Sequence, residues 1–270
     1  MSFQIRLVVF ALICFPALAS ADFSPSKDFA QVLARLDHIQ ELFSENDGIA
    51  RFNYVYRQTT RNMKAAIEGG RFANADFMER FTIQFADHYF RAFDAYAGGR
   101  DNEVPRAWRP LFLLHTQVTG YDPVQFVIAG MDAHIGRDLP VVLSELFNDD
   151  DAYPRKESDT YLDYKMVNTI LKETFDDVHD HILTNCDDVL GSLFCSASDE
   201  AAIPTIAVLR RKAWFDGHVL WKERNTSISR SAYLTALDSG TSGVIRVVLA
   251  FKKRLSVQGN QFFSTPKEIF

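Results

Sequence analysis

Apolar residues recur at steps of three and four along most of this chain, which is the period of helices that bury one face. Phe29, Leu33, Leu36, Ile39 and Phe43 trace such a face between Ser26 and Glu45, and Asn46-Asp47-Gly48 interrupts it. Phe52, Tyr56, Met63 and Ile67 predict a second helix that Gly69-Gly70 stops. Asn74 can cap a third, whose stripe runs through Phe77, Phe81, Phe85, His88 and Ala92 to Gly98-Gly99. Pro105 suits the first turn of a fourth, with Trp108, Leu111, Phe112 and His115 inward. Further along, Tyr164, Val167, Leu171, Phe175, Val178 and Ile182 predict a helix from Ser158 to Leu183. A helix or helix pair follows from about Asp199 to Arg224. Ser227 to Leu237 reads as a short helix ended by the turn Asp238-Ser239-Gly240. Val244 to Phe251 is rich enough in branched residues for a strand, but no partner strand is visible, so it is read as helix. The expectation is one all-α globular domain over residues 22–270.

One stretch breaks the amphipathic rule. Pro123 to Ala129 is apolar around nearly its whole circumference, the pattern of a helix with no solvent face. Asp122 and Pro123 fit its cap and first turn. It continues into Gly130-Met131-Asp132-Ala133-His134-Ile135-Gly136-Arg137-Asp138-Leu139-Pro140. His134 and Asp138, four apart, share a face with Val127 and Met131 and should both point inward. Pro140 should end or bend the helix, because it lacks an N–H and crowds the carbonyl of Gly136. A buried carboxylate without a partner is costly or neutralises itself. His134 and Asp138 therefore satisfy each other, meet a basic partner, or hold a metal ion.

Composition narrows the function classes. Nearly half the chain is apolar, with 23 Phe, enough for a sizeable core. The net charge is −6 and no basic run exceeds Arg210-Arg211-Lys212 and Lys252-Lys253-Arg254, so no nucleic-acid-binding surface is evident. Asp149-Asp150-Asp151 lacks the spaced ligands and glycine of a calcium loop and reads as solvated. Residues 1–21 have the pattern of a signal peptide: Arg6, the apolar run Leu7–Phe15, and Ala19-Ser20-Ala21 as cleavage site. This predicts a secreted protein, extracellular or periplasmic, with no transmembrane span in the mature chain. Cys186 and Cys195 then form a local pair suited to one disulfide, and Asn225-Thr226-Ser227 matches a glycosylation sequon.

Among the seven histidines, His38 falls on a polar helix face, while His88 and His115 lie on apolar stripes. Asp177 and His181 repeat the spacing of Asp138 and His134 in a more polar setting. Inward His and carboxylate residues on facing helices are how bundles build metal sites. His134 and Asp138, completed by His88 or by Asp177 and His181, are thus candidate ligands of a divalent metal, zinc foremost, which would activate water against an ester or phosphoester. The alternative is a non-catalytic helical protein with a structural His–Asp pair and an apolar ligand in its aromatic-rich interior. No Gly-x-Ser-x-Gly elbow, His-Glu-x-x-His motif or phosphate-binding glycine loop is present, and no catalytic residue is assigned.

Several stretches, in order, are similar to one family. They are Asn46–Asn53, Phe85–Phe90, Pro105–Trp108, Pro123–Pro140, Asp163–Asn168, Ala213-Trp214 and Leu220-Trp221. Together they resemble the largely bacterial domain of unknown function 5995, whose most recognisable segment reads Gly-Met-Asn-Ala-His-Ile-Asn-x-Asp-Leu. Asp132 and Gly136 stand here where that family usually has asparagines. The resemblance covers most of the chain beyond residue 21; it implies an all-helical fold and brings no established activity. His134-Ile135-Gly136-Arg137-Asp138 also looks like the His-(Phe/Tyr)-x-x-Asp helix of zinc-dependent phospholipase C and P1-type nucleases. Those are secreted helical phosphodiesterases.

Overall fold

The computed structural model describes residues 23–118, 121–182 and 202–262. The elements are α1 (Phe29–Glu41), α2 (Gly48–Glu68), α3 (Ala75–Ala97), α4 (Arg109–Leu114) and α5 (Pro123–Ala133). A π-helical turn spans His134–Asp138, followed by α6 (Leu139–Leu146), α7 (Asp159–Ile182), α8 (Ala202–Lys222) and α9 (Ser227–Phe262). No strand occurs among the described residues. The fold is all-α, and residues 244–251 are helical. The segment read as a signal peptide, and Cys186 and Cys195, lie outside the described residues. No helix among those described is long and apolar enough to cross a membrane.

Asn74 and Asp122 cap where the sequence places them, and Asp28 caps α1 as well. Asp28 accepts the Gln31 N–H at 2.8 Å, Asn74 accepts that of Phe77 at 3.0 Å, and Asp122 accepts that of Val124 at 3.0 Å. Gln125 returns the favour by accepting the Asp122 N–H at 2.9 Å, which closes a capping box on α5. With its end fixed, α5 runs between α2 and α9, and α4 also packs on it. The crossing with α2 is close because glycines stand at both contacts. A β-carbon at Gly130 would lie 2.3 Å from the Phe52 ring, and one at Gly48 would lie 2.4 Å from Phe126.

Two apolar clusters flank this central rod. One gathers α1, α2, α3, Trp108, Phe112, Phe126 and, from α9, Ile245 and Leu249. The other gathers Phe77, Phe81, Leu139, Tyr164, Val167 and Trp214 from α3, α6, α7 and α8. Met131 touches both, so the His134–Asp138 turn sits near the seam between them.

Three local expectations are corrected. Pro105 does not open a helix: Pro105–Trp108 is a turn, and the helix is the six residues from Arg109, with Pro110 in its first turn. Of the two outcomes expected at Pro140, ending or bending the central rod, ending does not occur, and the helix is interrupted by the π-helical turn His134–Asp138. The widened turn absorbs the missing donor, with the Leu139 N–H reaching back to the His134 carbonyl, and α6 then continues. Asp238-Ser239-Gly240 does not end the last helix, which passes through it as α9. Gly240 costs about 1 kcal/mol of helix propensity, which the burial of Ile245 and Leu249 offsets. Asp238 is polar for a different reason. Its carboxylate accepts the Arg106 and Ala107 N–H groups, each at 2.9 Å, and so holds the 105–108 turn.

Candidate functional site

The π-helical turn presents His134 and Asp138 inward, at 3% and 0% exposure. Asp138 is answered on both oxygens. Oδ2 accepts the Trp108 indole N–H at 2.9 Å and lies 3.0 Å from His134 Nδ1. Oδ1 accepts from Arg137 Nη1 at 2.8 Å. Burial alone would push this carboxyl up, but the hydrogen bond from His134 and the Arg137 charge outweigh it and hold it well below the usual range. Asp138 is therefore an anion that only accepts, and the proton between it and His134 sits on Nδ1. Burial also drives the imidazole pKa down, against the opposing pull of Asp138. The ring is neutral at physiological pH, with Nε2 as a bare acceptor, and that nitrogen is buried without a hydrogen-bond partner.

The ring plane is fixed as firmly as its tautomer. Phe85 of α3 stacks on it at 3.5 Å between centroids and 4° between planes. Tyr56 of α2 meets it edge-on at 4.7 Å. His134 and Tyr56 line a cavity of about 60 Å³ walled by Met63, Phe81, Phe85, Val167, Leu171 and Phe175. The Tyr56 hydroxyl has no partner, and burial holds it protonated by raising its pKa well above the ordinary phenol value. Arg210 of α8 reaches the same cavity, at 3% exposure. The walls are thus apolar, with one acceptor and a few donors set into them. A different face of the same rod lines a groove of about 510 Å³ with Asp132, Gly136, Leu209, Lys212, Tyr233 and Thr241. There, desolvation pushes the Asp132 carboxyl up to about 6.

The other candidate ligands go elsewhere. His88 is held through Nε2 by Glu145 of α6 at 2.9 Å. Burial would raise the Glu145 carboxyl, but the His88 contact outweighs it and lowers it. Asp177 accepts from Asn62 at 3.1 Å on an exposed stretch of α7. The His181 side chain lies outside what the structure describes. Among the described residues, no three His, Cys, Asp or Glu converge as a metal set. His115 pairs with Asp47 at 2.7 Å and with the Tyr96 hydroxyl at 2.8 Å, a wholly internal arrangement. Asn225 is exposed in the turn between α8 and α9.

Sequence reasoning missed two members of this site. Trp108 was legible only as a core aromatic, because nothing local says which carboxylate its indole meets. Arg210 reads as the head of a basic run, yet Arg211 and Lys212 are exposed while Arg210 is buried. The signal was available in the helix period. Ile206, Arg210, Ala213, Trp214 and Trp221 form one buried stripe of α8.

A family profile described as "Family of unknown function (DUF5995)" matches residues 29–251. No curated protein and no solved structure matches the chain. The likeness to zinc-dependent phospholipase C and P1-type nucleases stays confined to the five residues that suggested it.

Proposed function

The chain belongs to the DUF5995 family, and from the geometry of its cavity we propose that it binds a small, largely apolar molecule oriented by His134. One observation carries this reading. His134 Nε2 is a buried acceptor with no partner in the protein, its ring locked by Asp138 and Phe85, and it lines an apolar cavity. An unsatisfied buried polar atom costs about 1–3 kcal/mol, and a ligand hydroxyl or N–H would recover that. Calorimetry and melting curves with octan-1-ol, octanoate and octylamine test the proposal. Saturable binding of at least one probe, lost in His134→Phe, is expected. No binding of any of the three sinks it.

A hydrolytic reading has a narrower basis. An imidazole oriented by a carboxylate, with the distal nitrogen free, is the arrangement of a general base. Such a group would deprotonate a water set against an ester in the cavity. A divalent metal would take the same Nε2, with Asp138 behind the ring as the orienting carboxylate. The described residues offer that metal no second and third ligand, so ligand binding has the stronger support. The same preparation incubated with p-nitrophenyl octanoate, with and without chelator, separates these readings. Turnover abolished by His134→Ala marks catalysis, and loss of that turnover on chelation marks metal.

A further inference from the structure

Ligand orientation by His134 makes no use of Arg210, which lines the same cavity. The guanidinium is buried on α8, and among the described residues it has no carboxylate partner. Its Nη2 donates to the Tyr164 carbonyl at 2.7 Å, and its plane lies over the Tyr164 ring at 4.3 Å from the centroid. The Tyr164 hydroxyl in turn donates to the Arg210 carbonyl at 2.5 Å, which ties α7 to α8 around this side chain. Nε–H is buried with no acceptor at all. Arginine stays charged in proteins, so the cation cannot escape by losing a proton. A buried ion normally has a counter-ion, since desolvation is otherwise uncompensated.

The protein supplies donors here and withholds the anion. Arg210 and Tyr56 line the same cavity as His134, and the rest of the lining is apolar apart from Thr59, Thr60 and Thr82, whose hydroxyls donate to the carbonyls of Val55, Tyr56 and Met78. The enclosed space, about 60 Å³, suits a head group and the first carbons of a ligand better than a whole amphiphile. The half-buried members of its lining are Thr59 of α2, Phe85 of α3, Met131 of α5 and Phe175 of α7, and α2 and α7 pack against each other beside it. A ligand body would lie along Val55, Leu171 and Phe175, which line the same cavity as Arg210.

We propose that the occupant is a carboxylic acid with an apolar body, whose carboxylate takes Arg210 as its counter-ion. This rests on the cavity being a ligand site and adds an anionic group at Arg210; a carboxylate has no proton for His134 Nε2, so the donor to that nitrogen is a hydroxyl or N–H elsewhere on the ligand. The structure explains why an arginine and not a lysine stands there: a planar fork can stack on Tyr164 and still present N–H groups to two oxygens.

The experiment compares octanoate with octan-1-ol, equal in chain length and unequal in charge, on the full-length protein at pH 7.5. Octanoate is expected to bind the wild type about tenfold tighter or better, as charge-assisted hydrogen bonds require. Arg210→Gln should bring the two probes to similar affinities. Octan-1-ol binding as tightly as octanoate to the wild type overturns the acid inference and leaves the cavity reading standing. Neither probe binding removes both. Octylamine binding best overturns the charge sign. If Arg210→Gln fails to fold, the wild-type ratio of the two probes decides alone. Acetate added to the same titration reports whether the head group suffices. Acetate competing at millimolar concentration supports an anion site at Arg210. Acetate without effect, alongside equal octanoate and octan-1-ol affinities, overturns it.

Discussion

Asp138 and Arg210 are two buried charges, at 0% and 3% exposure, treated in opposite ways. Around Asp138 three donors from three residues converge on two oxygens, so nothing of the carboxylate is left over. Around Arg210 a single carbonyl and one aromatic face do what they can, and an N–H is left without an acceptor. The first arrangement stabilises the protein: it holds the π-helical turn, the 105–108 segment and the His134 ring in one geometry. The second costs stability for as long as the cavity is empty of an anion. A charge that the fold answers is scaffold; a charge that it leaves unanswered beside a cavity is addressed to something outside the chain. Asp132 lies between the two, half-buried in its groove and pushed up to about 6 by desolvation.

The sharpest way to break the comparison is at Asp138. Asp138→Asn keeps the shape but removes the charge that Arg137 faces and sets an amide N–H against existing donors. Removing one partner of such a buried pair costs about 3–5 kcal/mol, read as a shift in urea midpoint at constant slope. A loss under about 1 kcal/mol would falsify the scaffold role.

Asp132 comes next. Its folded carboxyl is raised above the ordinary value near 3.9, so its neutral form is the one the fold prefers. Its contribution is present below about pH 4 and is lost as pH rises to about 6. Asp132→Asn should therefore stabilise by about 1–3 kcal/mol at pH 7.5 and by much less at pH 4. Equal stabilities at pH 7.5 would show that the groove does not desolvate the carboxylate.

The smallest effect is expected at Arg210. Arg210→Met exchanges a buried cation for an apolar side chain of similar reach, losing one hydrogen bond and one stacking contact while removing an uncompensated charge. The two terms nearly cancel, and the variant should lie within about 1 kcal/mol of the wild type or above it. A loss as large as that of Asp138→Asn would make Arg210 scaffold too. The comparison would then collapse.

The caps and the helix periods needed only neighbouring residues, which is why Asn74 and Asp122 act as the sequence predicts. The inward placement of His134 and Asp138 was equally local, because four residues along a helix define a face. What failed did so through distant contacts. Asp238-Ser239-Gly240 has the chemistry of a turn, but Ile245 and Leu249 are buried in the core beyond it and keep the helix going. Pro105 has the chemistry of a helix start, but Asp238, far along the chain, holds the following N–H groups in a turn.

The chain by itself determined the all-helical architecture, the enclosed central rod and the His134–Asp138 pair, because periodicity and capping act within a few residues. Only the tertiary structure decided that Asp138 is satisfied from Trp108 and Arg137, that His88 is taken up by Glu145, and that His134 and Arg210 line one cavity. Satisfaction of a buried charge is a property of what surrounds it in three dimensions. Residues 108, 134 and 137 converge around the Asp138 carboxylate, while 134 and 210 share a cavity without an anion between them, and no local pattern distinguishes those outcomes.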